Sequence, residues 1–225
     1  MTFSIVARCA DSGHFGVAVT SSSPAVAARC AFVRAGTGAV ASQNVTDPRL
    51  GPLVLDAMAA GMPASAAVGK VTDEAENTSW RQLLAVDGHG GTAIFSGDHA
   101  LGINAEGQVR DAASAGNLLA SPEVLAAVLA GFAAAGGHLG DRLMAALFAG
   151  LEAGGEAGPL HSAGMLIAGE ETWPLVDLRC DWTEACPIRA LDAAWQIYRP
   201  QMNDYVTRAL DPAASPSYGV AGDDR

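Results

Sequence analysis

The chain has 225 residues, half of them hydrophobic, and its 13 lysines and arginines stand against 24 aspartates and glutamates, a net charge of −11. No apolar run reaches the roughly 20 residues that span a bilayer, and no basic cluster could face a phosphate backbone, so we expect neither a membrane protein nor a nucleic-acid-binding one. The sequence does not open with a basic stretch followed by an apolar one, so we expect no secretion signal. No two cysteines have the two-residue gap of a zinc or redox motif. We therefore expect a cytoplasmic protein that needs no metal and no cofactor.

Strand and helix patterns follow one another in pairs along the chain. In the first half, the patterns predict strands at Phe3–Arg8, Phe15–Thr20 and Gly38–Ser42, a helix from Leu50 that ends at Gly61-Met62-Pro63, an Ala-rich helix over Ala64–Lys70, and strands at Gln82–Asp87 and Thr92–Ser96. In the second half, they predict a helix that begins at Ser121-Pro122-Glu123 and ends near Gly131, a helix over Leu139–Leu151, strands at Ser162–Ala168 and Trp173–Asp181, and a closing amphipathic helix from Leu191 to Tyr205 that is interrupted at Pro200.

Paired strands that alternate with paired helices, without a strand–helix–strand rhythm, indicate an α+β domain in which helices pack on antiparallel sheet. We predict one domain over residues 1–210 and a disordered tail over residues 211–225, where Pro, Ala, Ser, Gly and Asp predominate. The aromatic stripe of Trp195, Tyr198 and Tyr205 on the last helix suggests a homodimer, although the same stripe would also suit the core of a monomer.

The second residue carries the first functional hypothesis. Removal of Met1 would leave Thr2 with a hydroxyl and a free backbone amine, whose ordinary pKa of about 7.7–8.0 leaves part of it neutral at working pH. A hydroxyl beside a neutral amine is the nucleophile of threonine hydrolases, which need no separate histidine. Threonine is also a common second residue, so the position by itself is weak evidence.

Several segments, in the same order along residues 2 to about 181, carry a family resemblance. They are Thr2-Phe3-Ser4-Ile5-Val6-Ala7, Phe15-Gly16-Val17-Ala18-Val19, Gly36-Thr37-Gly38-Ala39-Val40-Ala41-Ser42-Gln43, Pro48, Gly51-Pro52, Arg81-Gln82, Gly116-Asn117-Leu118-Leu119, Arg142-Leu143 and Ser162-Ala163. Together they resemble the domain-of-unknown-function family numbered 1028, which is placed in the N-terminal nucleophile (Ntn) hydrolase superfamily. The resemblance implies a four-layer α-β-β-α sandwich of two antiparallel sheets, with Thr2 as the catalytic nucleophile.

An Ntn site also needs a cationic group near the amine and donors that face the oxyanion. Lys70, the single lysine, lies on a predicted helix away from the strands. Arg81, at the start of a strand, and Arg34, just before the third strand, are better candidates, and either would act electrostatically because arginine keeps its proton. Each arginine could equally form a surface ion pair.

Four polar residues complete the predicted site. Asn117 could donate to the oxyanion, or simply form a turn before the next helix. Ser22 and Ser23, which follow the second strand, could bind the Thr2 amine or the substrate, although serine runs are also ordinary loops. Gln43, at the end of the third strand, could bond a substrate amide.

One segment departs from the family pattern of Gly-Gly-Asp, a residue, Arg-Gly, a residue and Gln-Ser-Ala. Here Glu156 replaces the aspartate, Gly158 the arginine and His161 the glutamine. We include His161 among the substrate-binding candidates. The acid–arginine pair of the family cannot form locally, so transfer of a substrate preference from relatives is in doubt.

These observations favour an Ntn-type amidohydrolase that acts on a small-molecule substrate with a linear amide, ureido or peptide-like bond. Two alternatives stay open. The nucleophile could instead be Cys9 or a serine of residues 21–23, or the chain could be a non-catalytic ligand-binding or assembly protein that keeps the fold.

Overall fold

The computed structural model describes residues 1–223. In chain order, its strands and helices are β1 (Thr2–Arg8), β2 (Phe15–Ser21), α1 (Ala27–Cys30), β3 (Ala31–Arg34), β4 (Gly38–Asn44), α2 (Leu50–Ala59), α3 (Ala64–Glu74), β5 (Arg81–Asp87), β6 (Thr92–Ser96), β7 (Ala105–Val109), β8 (Ala112–Asn117), α4 (Val124–Ala134), α5 (Leu139–Glu152), β9 (Ser162–Ala168), β10 (Pro174–Cys180), α6 (Pro187–Tyr198) and α7 (Met202–Leu210). Short 3-10 turns precede β5 and join α6 to α7.

The strands form two antiparallel sheets that pack face to face. Sheet A has the strand order β10-β9-β2-β1-β8-β7, and sheet B has the order β3-β4-β5-β6. Helices α4, α5 and α6 cover the outer face of sheet A, while α2 and α3 cover sheet B. This confirms the prediction of an α+β four-layer α-β-β-α sandwich.

Both faces of sheet A are covered, and this explains its sequence pattern. Six of the seven residues of β1 are buried, so the strand is largely apolar and lacks the alternation of a half-exposed strand. Phe3 and Ile5 point into the helical layer, where they join a core that includes Leu143 and Trp195. Val6 points the other way, into the core between the sheets.

The closing helix that the sequence predicts is α6 and α7 in the structure, and it contributes core residues as well as surface. Trp195 is completely buried, and its Nε1 donates to Asp141 Oδ1 at 2.9 Å. Tyr198 donates its hydroxyl hydrogen to the Leu175 carbonyl at 2.9 Å, whereas Tyr205 is 41% exposed. Part of the aromatic stripe is therefore core, and the homodimer stays a prediction. The interruption expected at Pro200 is present, because the 3-10 turn Arg199–Gln201 separates α6 from α7.

The sequence patterns missed three strands. β7 and β8 are built largely from small or polar residues, AEGQV in β7 and AASAGN in β8, and β3 is a run of only four residues, AFVR. Nevertheless β8 is completely buried beside β1. The predicted third strand is thus β4, and Arg34 is the last residue of β3 rather than a residue of the preceding loop.

Residues 211–223 contain no helix or strand. The disordered tail over 211–225 and the single domain over 1–210 stay predictions, and residues 224 and 225 lie outside the described residues. Within the described part of the chain, every helix is too short or too polar to cross a bilayer.

Candidate functional site

Thr2 is the first residue of β1, a central strand of sheet A. It pairs in register with Asn117 of β8, and the neighbouring pair Phe3–Thr20 places Ser21 of β2 on its other side. Residues in register on adjacent strands project to the same face of a sheet. The Asn117 amide bonds Gln82 of sheet B, so this polar row faces the space between the two sheets.

The Thr2 and Ser21 hydroxyls converge on one carbonyl group. Thr2 Oγ1 donates to the Met1 carbonyl oxygen at 2.5 Å, and Ser21 Oγ donates to the same oxygen. The two hydroxyl oxygens are 3.3 Å apart. Thr2 is 6% exposed with Met1 in place. The hydroxyl of Thr2 and the Met1–Thr2 peptide bond are therefore in contact with a hydroxyl from a second strand.

Glu156 places a buried carboxyl group next to this cluster. Its backbone forms an isolated bridge with Leu119, and the flanking bonds from Ala157 N to Leu118 O and from Ala120 N to Gly155 O measure 2.9 and 3.0 Å. Leu118 adopts a left-handed conformation with φ of 52°, which a side chain rarely adopts and which this pairing supports. The loop after β8 thus fixes the position of Glu156.

The carboxyl group of Glu156 is only partly satisfied. Oε2 accepts a hydrogen bond from the Ser22 backbone N–H at 3.1 Å, while the buried Oε1 has no partner among the described residues. Burial raises the pKa of this carboxyl to about 8, and the nearby Met1 amino group and the Ser22 bond oppose that rise. Glu156 is the strongest functional candidate that the sequence argument missed, because it was noted only as a departure from a pattern.

A cavity of about 280 Å³ adjoins Glu156. Its wall includes Glu156, Gly158, Leu160, Glu184 and Cys186. A Cβ atom on Gly158 would lie 2.8 Å from Met1 Cε, so the side chain of Met1 lies directly against this glycine. The absence of a side chain at position 158 therefore leaves room for the side chain of Met1.

His161 stands near the same cluster. Its backbone N–H donates to the Ser21 carbonyl at 2.9 Å, and its Nδ1 donates to the Thr183 carbonyl at 2.9 Å. The imidazole stacks on Trp182, with ring centroids 4.2 Å apart, and that indole is half exposed. His161 is thus placed where it could contact a ligand, and its substrate-binding role stays a prediction.

Gln43 and Asn117 belong to a hydrogen-bond network between the sheets. Gln43 Oε1 accepts from Ser4 Oγ at 2.6 Å, and Gln43 Nε2 donates to Gln82 Oε1 at 2.7 Å and to the Ala115 carbonyl at 3.0 Å. Gln43 is completely buried and its amide is satisfied by groups of the protein, so it holds the two sheets together at this point. Its substrate-binding role stays a prediction.

Asn117 remains closer to the predicted chemistry. It ends β8 instead of forming a turn, and its Nδ2 lies 3.4 Å from Gln82 Oε1, a long bond. Gly116 approaches Phe3 and Leu119 rather than open space, because a Cβ there would lie 3.2 Å from Phe3 Cβ and 2.8 Å from Leu119 Cδ2. The oxyanion role of Asn117 stays a prediction.

The predicted cations do not converge on Thr2. Arg34 pairs in register with Gly38, at the opposite end of β4 from Asn44, and forms an exposed ion pair with Asp56 at 2.7 Å. Arg81 donates to the Val45 carbonyl. Lys70 pairs with Glu74 on the surface of α3. Within residues 1–223, no hydrogen bond or ion pair joins a lysine or an arginine to Thr2.

In the serine run of residues 21–23, it is the side chain of Ser21, and not that of Ser22 or Ser23, that contacts Thr2. Ser21 contacts the Thr2 hydroxyl, Ser22 offers its backbone N–H to Glu156, and Ser23 N donates to Ser21 Oγ at 3.0 Å. Ser22 and Ser23 therefore contribute backbone groups, and Ser21 contributes the side chain. The alternative nucleophile Cys9 follows the far end of β1, seven residues from Thr2, and is buried.

The fold and the site together define a four-layer α+β protein with a threonine at the end of a central strand, next to a buried carboxyl group. The model of the family of unknown function DUF1028 matches residues 2–191, so the chain belongs to this family. No curated protein matches the chain.

One solved structure of a member of this family agrees with the assignment. A DUF1028 protein from Silicibacter pomeroyi is similar to the chain with a TM-score of 0.82 and 31% identity over 88% of each chain. An Anbu mutant from Hyphomicrobium sp. strain MC1 has a TM-score of 0.43 and 12% identity over 89% of this chain and 96% of its own. Anbu from Yersinia bercovieri also has a TM-score of 0.43, with 10% identity over 89% and 96%. These two scores are too low to establish a shared fold.

Proposed function

We propose that the chain is an Ntn-type amidohydrolase in which Thr2, exposed by removal of Met1, is the nucleophile. The observation that carries the proposal is the convergence of the Thr2 and Ser21 hydroxyls on the Met1 carbonyl oxygen. Once Met1 is removed, the same space can hold the carbonyl group of a small linear amide, ureido or peptide-like substrate. We place this reaction in the cytoplasm and assign it no cofactor.

The proposed reaction has two steps. Thr2 Oγ1 attacks the substrate carbonyl carbon while the Thr2 amine, directly or through a water molecule, takes the hydroxyl proton and passes it to the leaving nitrogen. The C–N bond breaks and an acyl ester forms on Thr2. Water then attacks this ester, releases the acid and restores the hydroxyl.

Ser21 supplies a donor for the developing charge. Its hydroxyl already donates to the carbonyl oxygen that occupies the site, so it can donate to the oxyanion of a substrate carbonyl in the same place. Asn117, on the other side of Thr2, is a second candidate donor. Among the described residues no lysine or arginine bonds Thr2, so the proposal relies instead on the ordinary pKa of the amine, which leaves part of it neutral near pH 8.

Burial of Glu156 also supports the amine's role as a base. An ionised carboxylate would stabilise the charged form of a nearby amine and raise its pKa. Since burial raises the pKa of Glu156 to about 8, its carboxyl group stays mostly protonated at neutral pH and has little of that effect.

Hydrolysis of a panel of amides, ureido compounds and short peptides tests the proposal. We expect turnover by the wild-type protein after Met1 is removed, none by Thr2→Ala and partial activity in Thr2→Ser, which keeps a hydroxyl. Equal turnover by wild type and Thr2→Ala would place the nucleophile elsewhere. Binding of panel compounds without turnover by any form would favour the alternative of a non-catalytic ligand-binding protein. That alternative is also consistent with the structure, in which no lysine or arginine among the described residues bonds Thr2.

A further inference from the structure

Met1 occupies the site as an acyl group would. Its carbonyl oxygen accepts from Thr2 Oγ1 and Ser21 Oγ, its side chain lies against Gly158, and its amino group lies near Glu156. The carbonyl group therefore contacts two hydroxyls and the side chain contacts a glycine. The amino group is near enough to Glu156 to affect the pKa of its carboxyl group, but Oε1 of that group has no partner among the described residues.

Glu156 provides the feature that points to a ligand. Glu156 is only 5% exposed, and its Oε1 has no partner among the described residues. A buried carboxyl group without a partner is costly unless a cation or a donor reaches it. Glu156 also forms part of the wall of the cavity that reaches Gly158.

The cavity has the charge and the size for one amino-acid side chain. The described residues of its wall include two acids and neither a lysine nor an arginine. Its volume of about 280 Å³ lies just below the range of roughly 300–1,000 Å³ that is usual for ligand pockets. A larger acyl group would have to extend into solvent.

We propose that the substrate is an α-aminoacyl compound, an amino-acid amide or the first residue of a short peptide, whose ammonium group binds Glu156 and whose side chain passes Gly158 into the cavity. This inference rests on the proposed function, because the scissile carbonyl lies where the Met1 carbonyl lies now. Glu156 is mostly protonated in the empty site, but an ammonium group that reaches Oε1 would lower the pKa of the carboxyl and ionise it. Glu156 would then select substrates by their free α-amine.

The test measures binding apart from turnover. Thr2→Ala protein, after Met1 is removed, keeps the site but lacks the nucleophile, so isothermal titration calorimetry can use the uncleaved ligands L-methioninamide and N-acetyl-L-methioninamide. We expect L-methioninamide to bind at least tenfold more tightly than the acetylated compound. This comparison needs no substitution at Glu156 and is unaffected by any folding defect that such a substitution causes.

A second substitution assigns the selectivity to one carboxyl group. Glu156→Gln in the Thr2→Ala background should weaken L-methioninamide binding at least tenfold and remove the preference over the acetylated ligand. Glu152→Gln is the matched control, since Glu152 is an exposed acid at the end of α5, four residues earlier in the chain, and it should change affinity less than twofold.

Three results would overturn the inference. They are equal binding of the two ligands, binding of neither, or an equal loss of both in Glu156→Gln, which would mean that Glu156 acts on the chain's own amine. Acylation of Thr2 by a β-lactone is a separate measurement. If the lactone reacts with Thr2 but L-methioninamide binds no more tightly than its acetylated form, the proposed function stands and the α-aminoacyl inference fails. If L-methioninamide is preferred but the lactone does not react with Thr2, the amine site is retained and the proposed hydrolase function is rejected.

Discussion

Replacement of Glu156 by glutamine should change how stability depends on pH, in the form of the protein that retains Met1. Burial raises the pKa of Glu156 to about 8 in the folded chain, whereas its ordinary value is 4.5. Between these values the folded state binds the proton more tightly than the unfolded state does. Below pH 4.5 the carboxyl is protonated in both states, so its contribution is fully present; as pH rises through 8, that contribution is lost.

The size of the effect follows from the two pKa values. Ionisation of Glu156 lowers the free energy of unfolding by about 3 kcal/mol at pH 7 and by about 5 kcal/mol at pH 9, relative to pH 4. Glutamine has nearly the shape of a protonated carboxyl group and its carbonyl oxygen can keep the bond from Ser22 N. The variant should therefore match the wild type at pH 4 and be the more stable of the two by these amounts at higher pH.

Urea unfolding at pH 4, 7 and 9, followed by the fluorescence of the buried Trp195, measures this difference. The other titrating groups are common to both proteins, so the difference between the two curves reports the ionisation of Glu156 together with its interaction with the Met1 amino group. Intact mass first establishes that both samples retain Met1. Parallel stability curves over this pH range would refute the assignment of a neutral, buried Glu156.

Three further substitutions test other parts of the structure. Ser21→Ala should lower kcat on the best substrate of the panel by about 100-fold, because it removes a donor to the oxyanion; an unchanged kcat would exclude that role. Gln43→Leu should lower the free energy of unfolding by about 2–4 kcal/mol, because it leaves Ser4 Oγ and other buried groups without hydrogen-bond partners. A loss below about 0.5 kcal/mol in a urea titration would contradict a stabilising role for this hydrogen-bond network. Arg34→Ala breaks an exposed pair with Asp56 and should change stability by less than about 1 kcal/mol and leave kcat unchanged, whereas a large loss of kcat would return Arg34 to the site.

The α+β class of the fold could be predicted because the pattern of strand and helix pairs is local, whereas the four-layer arrangement was implied by the family resemblance. Apolar runs such as Phe3–Arg8 and Phe15–Thr20 become strands with nearly the predicted bounds. The strand β8 could not be recognised in this way, since its alanines, serine and glycine have low β propensity, and its place beside β1 is fixed by tertiary packing.

The site was predictable only in part. Thr2 could be singled out because its chemistry depends on its position in the sequence. Ser21 could not be separated from Ser22 and Ser23, because the register of β1 with β2 decides which hydroxyl faces Thr2. Glu156 is brought to the site by the backbone pairing with the loop after β8, a contact between residues 37 positions apart that no local pattern reveals.

The roles of the two arginines in the site stay predictions. Arg34 and Arg81 both adjoin strands, which made them candidates, but their guanidinium groups bind Asp56 and the Val45 carbonyl. A position next to a strand in the sequence does not determine at which end of the sheet, or on which face of it, the end of a long side chain lies. The titratable group that the structure brings close to Thr2 is instead Glu156, whose carboxyl group burial keeps mostly protonated at neutral pH.

The most direct test of the central claim is the mass of the N-terminal peptide after the protein, purified without an N-terminal tag, is treated with a β-lactone. Attack by the hydroxyl opens the lactone ring and forms an ester, so the whole mass of the reagent is added. We predict a peptide that begins at Thr2 and carries one lactone on that residue, with no adduct in Thr2→Ala. A peptide that retains Met1, or an adduct on another residue, would contradict Thr2 as the nucleophile.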